Sequence, residues 1–236
     1  VDTILKANKI DAFITTGPPM SVHLIGLEIK RKYKIPWVSD FRDPWTSVYY
    51  NEYLPRTKRT KKIDKMYEDS VLSNSDSVVV VANGMKQEFS DRNKSIDVIY
   101  NGYDMSDIKN INNLHTDKFT MSYVGNFKPN QNIYNLWEGL EELVNEDKID
   151  INDLLIEFTG NVDAGTIDYI KTKKIKSQLI INDFSSHDVA VSKMINSNLL
   201  IFVIPKSKTQ KLIVTGKIFE YLASLSPILS IGPIDG

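Results

Sequence analysis

The chain has 236 residues, 29 basic against 30 acidic, and a formal net charge of −1. That length suits two modest domains, the near-zero charge gives nucleic acid no bulk attraction, and the absence of cysteine excludes disulfides and thiolate metal sites while fitting a reducing cytoplasm. The three histidines, His23, His115 and His187, are too scattered to suggest a zinc site, and no uninterrupted apolar run approaches the roughly 20 residues of a membrane span.

Helical and strand patterns alternate along the chain. Val1 to Lys9 reads as the tail of a helix leading into a strand at Asp11 to Thr15. A helix at Ser21 to Tyr33, a strand at Pro36 to Asp40 and a longer helix at Arg59 to Leu72 follow, then strands at Ser77 to Ala82 and Ile96 to Tyr100. Asn101-Gly102 is a turn signal, and the polar, Asn-rich stretch from Asp104 to Asp117 reads as a linker. The domain boundary is therefore expected between 117 and 118. Beyond it come a strand at Thr120 to Val124, a helix at Ile133 to Asn145, a strand at Leu154 to Thr159 and a helix at Thr166 to Lys174. A strand at Leu179 to Asn182, a helix at Ser186 to Asn196, a strand at Leu199 to Ile204, a helix from Thr215 to Ala223 and a strand at Pro227 to Ile231 complete the series.

Such alternation predicts an α/β protein whose parallel sheets are covered by helices on both faces. Two Rossmann-like domains, 1–117 and 118–236, are expected to face a cleft lined by the carboxyl ends of their strands. The chain opens inside a helix and stops just after a strand, so both ends are expected to be cut from a longer protein, leaving the N-terminal domain incomplete.

Polar groups collect at those strand ends. In Thr215-Gly216-Lys217-Ile218-Phe219-Glu220, Thr215 is placed to cap the helix, Gly216 lets a ligand approach the backbone, and Lys217 adds a cation, which together suit a phosphate. Glu220 shares the helix face of Gly216 and Lys217, and a ribose hydroxyl is its natural partner. The pattern points to a nucleotide diphosphate; an ordinary capped amphipathic helix is the alternative for this segment alone. Gly125-Asn126-Phe127-Lys128 follows another strand, with Gly125 open to close backbone approach and Lys128 supplying charge, and Gly160-Asn161 repeats the strand-then-Gly arrangement. After the strand at 179–182, Ser185 or Ser186 reads as a helix cap, and His187 either faces a base or simply starts a surface helix.

In the first half, Asp40-Phe41-Arg42-Asp43-Pro44-Trp45 packs two carboxylates, a guanidinium and a Trp into six residues after a strand. Asp43 or Asp40 is placed to orient an acceptor hydroxyl and Trp45 to offer an apolar face to a sugar ring; the alternative is a structural Asp–Arg pair holding a loop. His23, near the start of its helix, is a second catalytic candidate, against a buried packing role. The basic run Arg56, Lys58, Arg59, Lys61, Lys62, Lys65, preceded by Tyr53 and Leu54, reads either as a solvated helix face or as a patch for anionic lipid head groups.

Taken in order, Gly17-Pro18-Pro19-Met20-Ser21-Val22-His23, Asp40 to Trp45, Asn101-Gly102-Tyr103-Asp104, Tyr123-Val124-Gly125, and Gly216 to Ala223 with Pro227-Ile228-Leu229 resemble a family 4 glycosyltransferase of the GT-B fold, particularly its bacterial surface-polysaccharide branch. The resemblance covers nearly the whole chain. It implies an N-terminal acceptor domain, a C-terminal domain holding a UDP- or GDP-sugar as co-substrate, transfer with retention of anomeric configuration, and no metal or other cofactor. Carried over by position, Glu220 matches the second carboxylate of the family's paired-Glu motif, which contacts the donor ribose. The first Glu of that pair falls at Leu212 in an ungapped alignment, with Lys208 or Gln210 as stand-ins only if the loop is shifted. The family's loop Arg and Lys correspond to Asn126 and Gln131, neither of them charged, so Lys128 and Lys217 are expected to compensate at the diphosphate.

The expectation is thus a metal-independent, retaining hexosyltransferase that moves a sugar from a nucleotide donor to a glycan or lipid-linked acceptor in bacterial polysaccharide or lipopolysaccharide synthesis. Asp43 and His23 are the catalytic candidates, and Gly125, Asn126, Lys128, Thr215, Gly216, Lys217 and Glu220 the donor-binding set. The expected location is the cytoplasm, with a peripheral contact at the inner face of the cell membrane. The departures at Leu212, Asn126 and Gln131 keep open a catalytically silent glycosyltransferase-like binding protein, and the two-domain cleft also suits a sugar-nucleotide epimerase.

Overall fold

The structure, a computed structural model, describes residues 2–108 and 116–233. The chain packs as two units: the first takes the chain up to Asn101 together with Ser207–Val214, and the second takes Gly102–Lys206 and everything from Thr215 onward. The chain passes from the first unit to the second between Asn101 and Gly102. Half of the expected linker, residues 109–115 with His115, lies outside the described residues.

The first unit contains α1 (Asp2–Ala7), β1 (Phe13–Gly17), α2 (Ser21–Tyr33), β2 (Trp37–Phe41), α3 (Lys58–Asn74), β3 (Ser77–Val80), α4 (Asn83–Phe89) and β4 (Ile96–Val98). Its four strands run parallel in the order β1-β2-β3-β4. In β2 every second side chain is buried, so Trp37, Ser39 and Phe41 face inward while Val38 and Asp40 are half-exposed. Trp37, Phe41, Leu72, Met85 and Phe89 form the centre of the core. Helix α3 starts where Thr57 Oγ1 accepts the Thr60 N–H at 3.1 Å. The sequence reading omits α4; its Met85 and Phe89, four residues apart on one face, are both fully buried.

The second unit contains β5 (Phe119–Val124), α5 (Tyr134–Asn145), β6 (Leu154–Thr159), α6 (Ala164–Lys171), β7 (Leu179–Asn182), α7 (His187–Ile195), β8 (Leu199–Val203), α8 (Lys217–Ala223) and β9 (Ile228–Ile231). All five strands are parallel, in the order β7-β6-β5-β8-β9. The sheet is apolar on both faces. Met121, Tyr123, Ile201 and Val203 pack with Trp137, Phe158 and Ile170 on one side. Val124, Leu200 and Phe202 pack with Met194 and Tyr221 on the other. This double burial explains the uninterrupted apolar run of β8. The strand order turns back between β5 and β8, so the chain leaves these neighbours in opposite directions at their carboxyl ends, the place where doubly wound sheets open a crevice.

Candidate functional site

At that switch point β5 runs into Gly125, which adopts φ +115° and donates its N–H to the Thr159 carbonyl at 2.8 Å. Gly160 mirrors it at φ +116°, and a Cβ there would lie 2.8 Å from the Gly125 carbonyl oxygen. Each position requires glycine, for its backbone conformation and for the close approach of the two loops. Phe127, buried in an aromatic cluster with Tyr123 and Phe158, anchors the far side of the loop and leaves Asn126 and Lys128 exposed. The Tyr123 hydroxyl donates to the Asn126 carbonyl at 2.9 Å, closing the turn.

Helix α8 comes onto the same strand end. Tyr221, fully buried, accepts the Val124 N–H through its hydroxyl oxygen at 3.0 Å and meets Phe202 edge-on. Burial raises the pKa of this phenol, so it stays protonated. Lys217 precedes Tyr221 by one helical turn and so shares its face. Its ammonium lies 3.7 Å from the centroid of the Tyr123 ring, and a Cβ on Gly125 would come 3.0 Å from its Nζ. Burial pulls the Lys217 amine down to about 7, and Glu220 on the next turn pulls it partly back. The geometry thus brings together Gly125 and Lys217, with Glu220 a turn away, and sets Asn126 and Lys128 on the adjoining loop. A cation, an exposed loop backbone and a carboxylate at a strand-order reversal can take an anionic group attached to a polyol.

Two expectations in this region are corrected. Thr215 does not cap α8. The residue before the helix is Gly216, already helical at φ −56° and ψ −30°, and the first turn closes tightly, with Ile218 N–H on the Thr215 carbonyl and Phe219 N–H on the Gly216 carbonyl. In that geometry Thr215 Oγ1 is buried with no partner among the described residues. At α7 neither serine acts as a side-chain cap among the described residues, since Ser185 Oγ donates to the Asp183 carbonyl at 3.2 Å and Ser186 makes no capping bond. His187 stands exposed at the helix start. Gln131, at the position of the expected lysine, holds the loop together instead, donating to the Val203 carbonyl at 3.0 Å and accepting the Lys128 N–H at 2.9 Å.

In the first unit His23 is fully buried, stacked on Phe41 at 4.4 Å, and shares a 2.8 Å hydrogen bond with Thr15 Oγ1, which also accepts the Trp37 indole N–H at 2.9 Å. Burial lowers its pKa to about 4, so it is neutral at physiological pH. Its Nε2 is buried without a hydrogen-bond partner among the described residues. Asp43 is half-buried in a loop held by the fully buried Glu68, which accepts the Thr46 N–H at 3.2 Å and the Thr46 hydroxyl at 2.8 Å, and pairs with Arg92 at 2.9 Å and Lys65 at 3.0 Å. The Arg42 side chain bonds Asn101. Trp45 offers no face to a sugar: it is 8% exposed, packed into the core and stacked with Tyr67. Of the basic run, Arg56 pairs with Asp64 at 2.6 Å and Lys65 also with Asp69, while Lys58, Arg59, Lys61 and Lys62 stay exposed near exposed Tyr53 and Leu54. Among the described residues no helix is long and apolar enough to cross a membrane.

Sequence reasoning missed Tyr123, Tyr221 and the structural use of Gln131. The spacing of Tyr221 four residues after Lys217 is a signal for the first pairing; nothing local signals Tyr123. Leu212 joins the first unit, packed with Val214 against its core.

Residues 1–107 match the model for Glycosyltransferase Family 4. No curated protein sequence matches the chain significantly. Among solved structures, sucrose-phosphate synthase from Thermosynechococcus elongatus superposes with a TM-score of 0.65 at 13% identity, covering 93% of this chain and 55% of that one. Anabaena HepE, solved in complex with UDP and glucose, gives 0.63 at 14% identity over 97% of this chain and 61% of that one. The lipopolysaccharide outer core galactosyltransferase WaaB gives 0.59 at 15% identity over 96% of this chain and 57% of that one. The chain thus spans about half to three fifths of these solved chains. The match to Glycosyltransferase Family 4 lies in residues 1–107, and the chain as a whole carries the GT-B fold.

Proposed function

We propose that the chain belongs to a retaining, metal-independent hexosyltransferase that takes a UDP- or GDP-sugar in its second unit and serves bacterial polysaccharide or lipopolysaccharide synthesis. The observation that carries this reading is the seating of the Lys217 ammonium beside Gly125 at the β5/β8 switch point, a cation placed to neutralise charge developing on a leaving diphosphate. Gly125, Asn126, Lys128, Thr215 and Gly216 would surround the donor, and Glu220 would hold its ribose. HepE, which shares the fold, binds UDP and glucose, and WaaB is a lipopolysaccharide galactosyltransferase; these support the donor class and the setting.

The acceptor, a glycan or lipid-linked sugar, is assigned to the first unit. There a cavity of about 290 Å³ lies next to the Asp43 loop, lined by hydroxyls and an amide (Thr46, Ser47, Asn51) and by charges of both signs, Lys61 and Lys208 with Glu52 and the Arg56–Asp64 pair, a polar surface suited to a polyol. Asp43 would orient the acceptor hydroxyl. The exposed cations of α3 beside Tyr53 and Leu54 suit a peripheral contact with an anionic membrane surface at the cytoplasmic side. Calorimetric titration of the parent protein with UDP, GDP and the parent nucleosides, in the presence of a chelator, tests the reading. Binding that requires the diphosphate and survives chelation supports it; no binding to a folded protein refutes it.

A second reading, a silent glycosyltransferase-like binding protein, draws on two observations: Leu212 is packed against the first unit's core where the family's first Glu is expected, and Gln131 is committed to holding a loop. Turnover of any sugar nucleotide excludes it.

A further inference from the structure

We propose that Tyr123 is a positioning residue for the donor site, its ring holding the Lys217 ammonium against Gly125 so that the ammonium's outer side meets a diphosphate. This rests on the reading of the second unit as the donor site. A lysine ends in a compact charge on a flexible four-carbon stem, so a single lysine serves a phosphate well only if its surroundings select one placement. Here three neighbours make that selection. Tyr221, four residues on, ties the root of the side chain to β5 through the Val124 N–H. Gly125, lacking a Cβ, leaves the room that the ammonium occupies. Tyr123 offers its π face 3.7 Å from Nζ, well inside the range of a cation–π contact.

The demand on this lysine is high. Asn126 and Gln131 bring no charge to the loop after β5, and Gln131 is already bonded to Val203 and Lys128. Among the described residues, the charged and titratable groups near Lys217 include Glu220 on its own helix and the phenols of Tyr123 and Tyr221, and both phenol hydroxyls bond backbone groups, the Asn126 carbonyl and the Val124 N–H. What Tyr123 gives Lys217 is therefore its ring, and its hydroxyl serves the loop.

The test replaces Tyr123 by Phe and by singly, doubly and triply fluorinated Phe in the parent protein, a series that weakens the ring's hold on a cation while nearly keeping its volume. The affinity is measured with whichever of UDP and GDP binds the unmodified protein. Loss of affinity that grows with fluorination, reaching about two- to fivefold, is expected, and the trend should vanish in a Lys217→Met background. A flat series, a trend that persists without Lys217, or binding that tightens with fluorination overturns the proposal. Acylation of Lys217 at pH 7, followed by mass spectrometry without nucleotide, gives a readout independent of the donor. Its rate should rise along the series, and an unchanged rate overturns the role of Tyr123. Failure of UDP and GDP to bind the unmodified protein would instead count against the donor-site reading.

Discussion

The phenol oxygen of Tyr221 accepts the backbone N–H of Val124, the last residue of β5, across the boundary between helix and sheet at 3.0 Å. The bond does two things at once. It satisfies a donor where the β5 ladder ends, and it fixes α8, with Lys217 one turn earlier, over the loop that Gly125 opens.

Replacing Tyr221 by Phe keeps the ring against Phe202 and strands the Val124 N–H in a buried site. A buried backbone donor left without a partner costs about 1–3 kcal/mol. The urea midpoint of the second unit's transition should fall accordingly with an unchanged slope, and UDP affinity should fall with it because α8 loses its anchor. An unchanged midpoint would mean that water replaces the phenol.

The glycines should separate by role. Around Gly216 nothing lies within 4 Å of where a Cβ would point, and its backbone is helical, so Gly216→Ala should leave stability unchanged or raise it by about 0.4–1 kcal/mol. Gly160→Ala places a methyl 2.8 Å from the Gly125 carbonyl oxygen on a backbone of φ +116°, and should cost about 1–3 kcal/mol or more. Thermal unfolding distinguishes the two. If the diphosphate approaches the backbone at 216, the alanine there should weaken UDP binding in a protein of undiminished stability.

Glu68 is a fully buried carboxylate held by Arg92, Lys65 and both Thr46 donors. Glu68→Gln removes the buried carboxylate charge while Arg92 keeps Asp69 at 2.9 Å and Asp91 at 3.1 Å, so the loss is that of a charge-assisted hydrogen bond, about 1.5–3 kcal/mol. The loop carrying Asp43 should loosen, seen as faster amide exchange at Thr46, whose N–H bonds Glu68. Retained stability and protection would place the hold on this loop elsewhere.

The elements of the fold were legible because their burial follows their spacing. The run from Leu154 to Thr159 becomes β6 residue for residue, and Ser21 to Tyr33 becomes α2. Helix α4 was not, because Asn83–Phe89 is short, opens with the turn dipeptide Asn-Gly and carries only two buried apolar residues. At the site, the glycine and lysine positions were readable as chemistry, yet the contact between Gly125 and Lys217 joins segments far apart in sequence. Local rules also misread Thr215, whose capping role depends on how tightly the first turn closes, and Trp45, whose direction is decided by the core it enters. The packing of Leu212 with the first unit likewise depends on where the chain returns after β8, which no local pattern states.

The pH dependence of donor binding should carry the signature of Lys217. In the folded chain its amine titrates near 7, against about 10.4 for an unperturbed lysine. The unfolded chain thus holds this proton more tightly. The cost of burying the amine is absent above about 10.4, grows as pH falls toward 7 and is constant below it. A diphosphate favours the charged form, so binding draws a proton onto the amine. Affinity should be greatest below pH 7 and weaken as pH rises past it, by up to about tenfold per unit until the amine of the complex itself titrates. The terminal phosphate of the nucleotide has its own ionisation near pH 6, which affects any protein equally. The difference between the unmodified protein and Lys217→Met therefore isolates the amine: the variant should bind more weakly at pH 6 and converge with the unmodified protein toward pH 9. Calorimetry in two buffers of different ionisation enthalpy checks the proton uptake directly at pH 7.5, where the unmodified protein should take up a proton and the methionine variant should take up less. Parallel curves for the two proteins across this range would show that Lys217 does not meet the diphosphate.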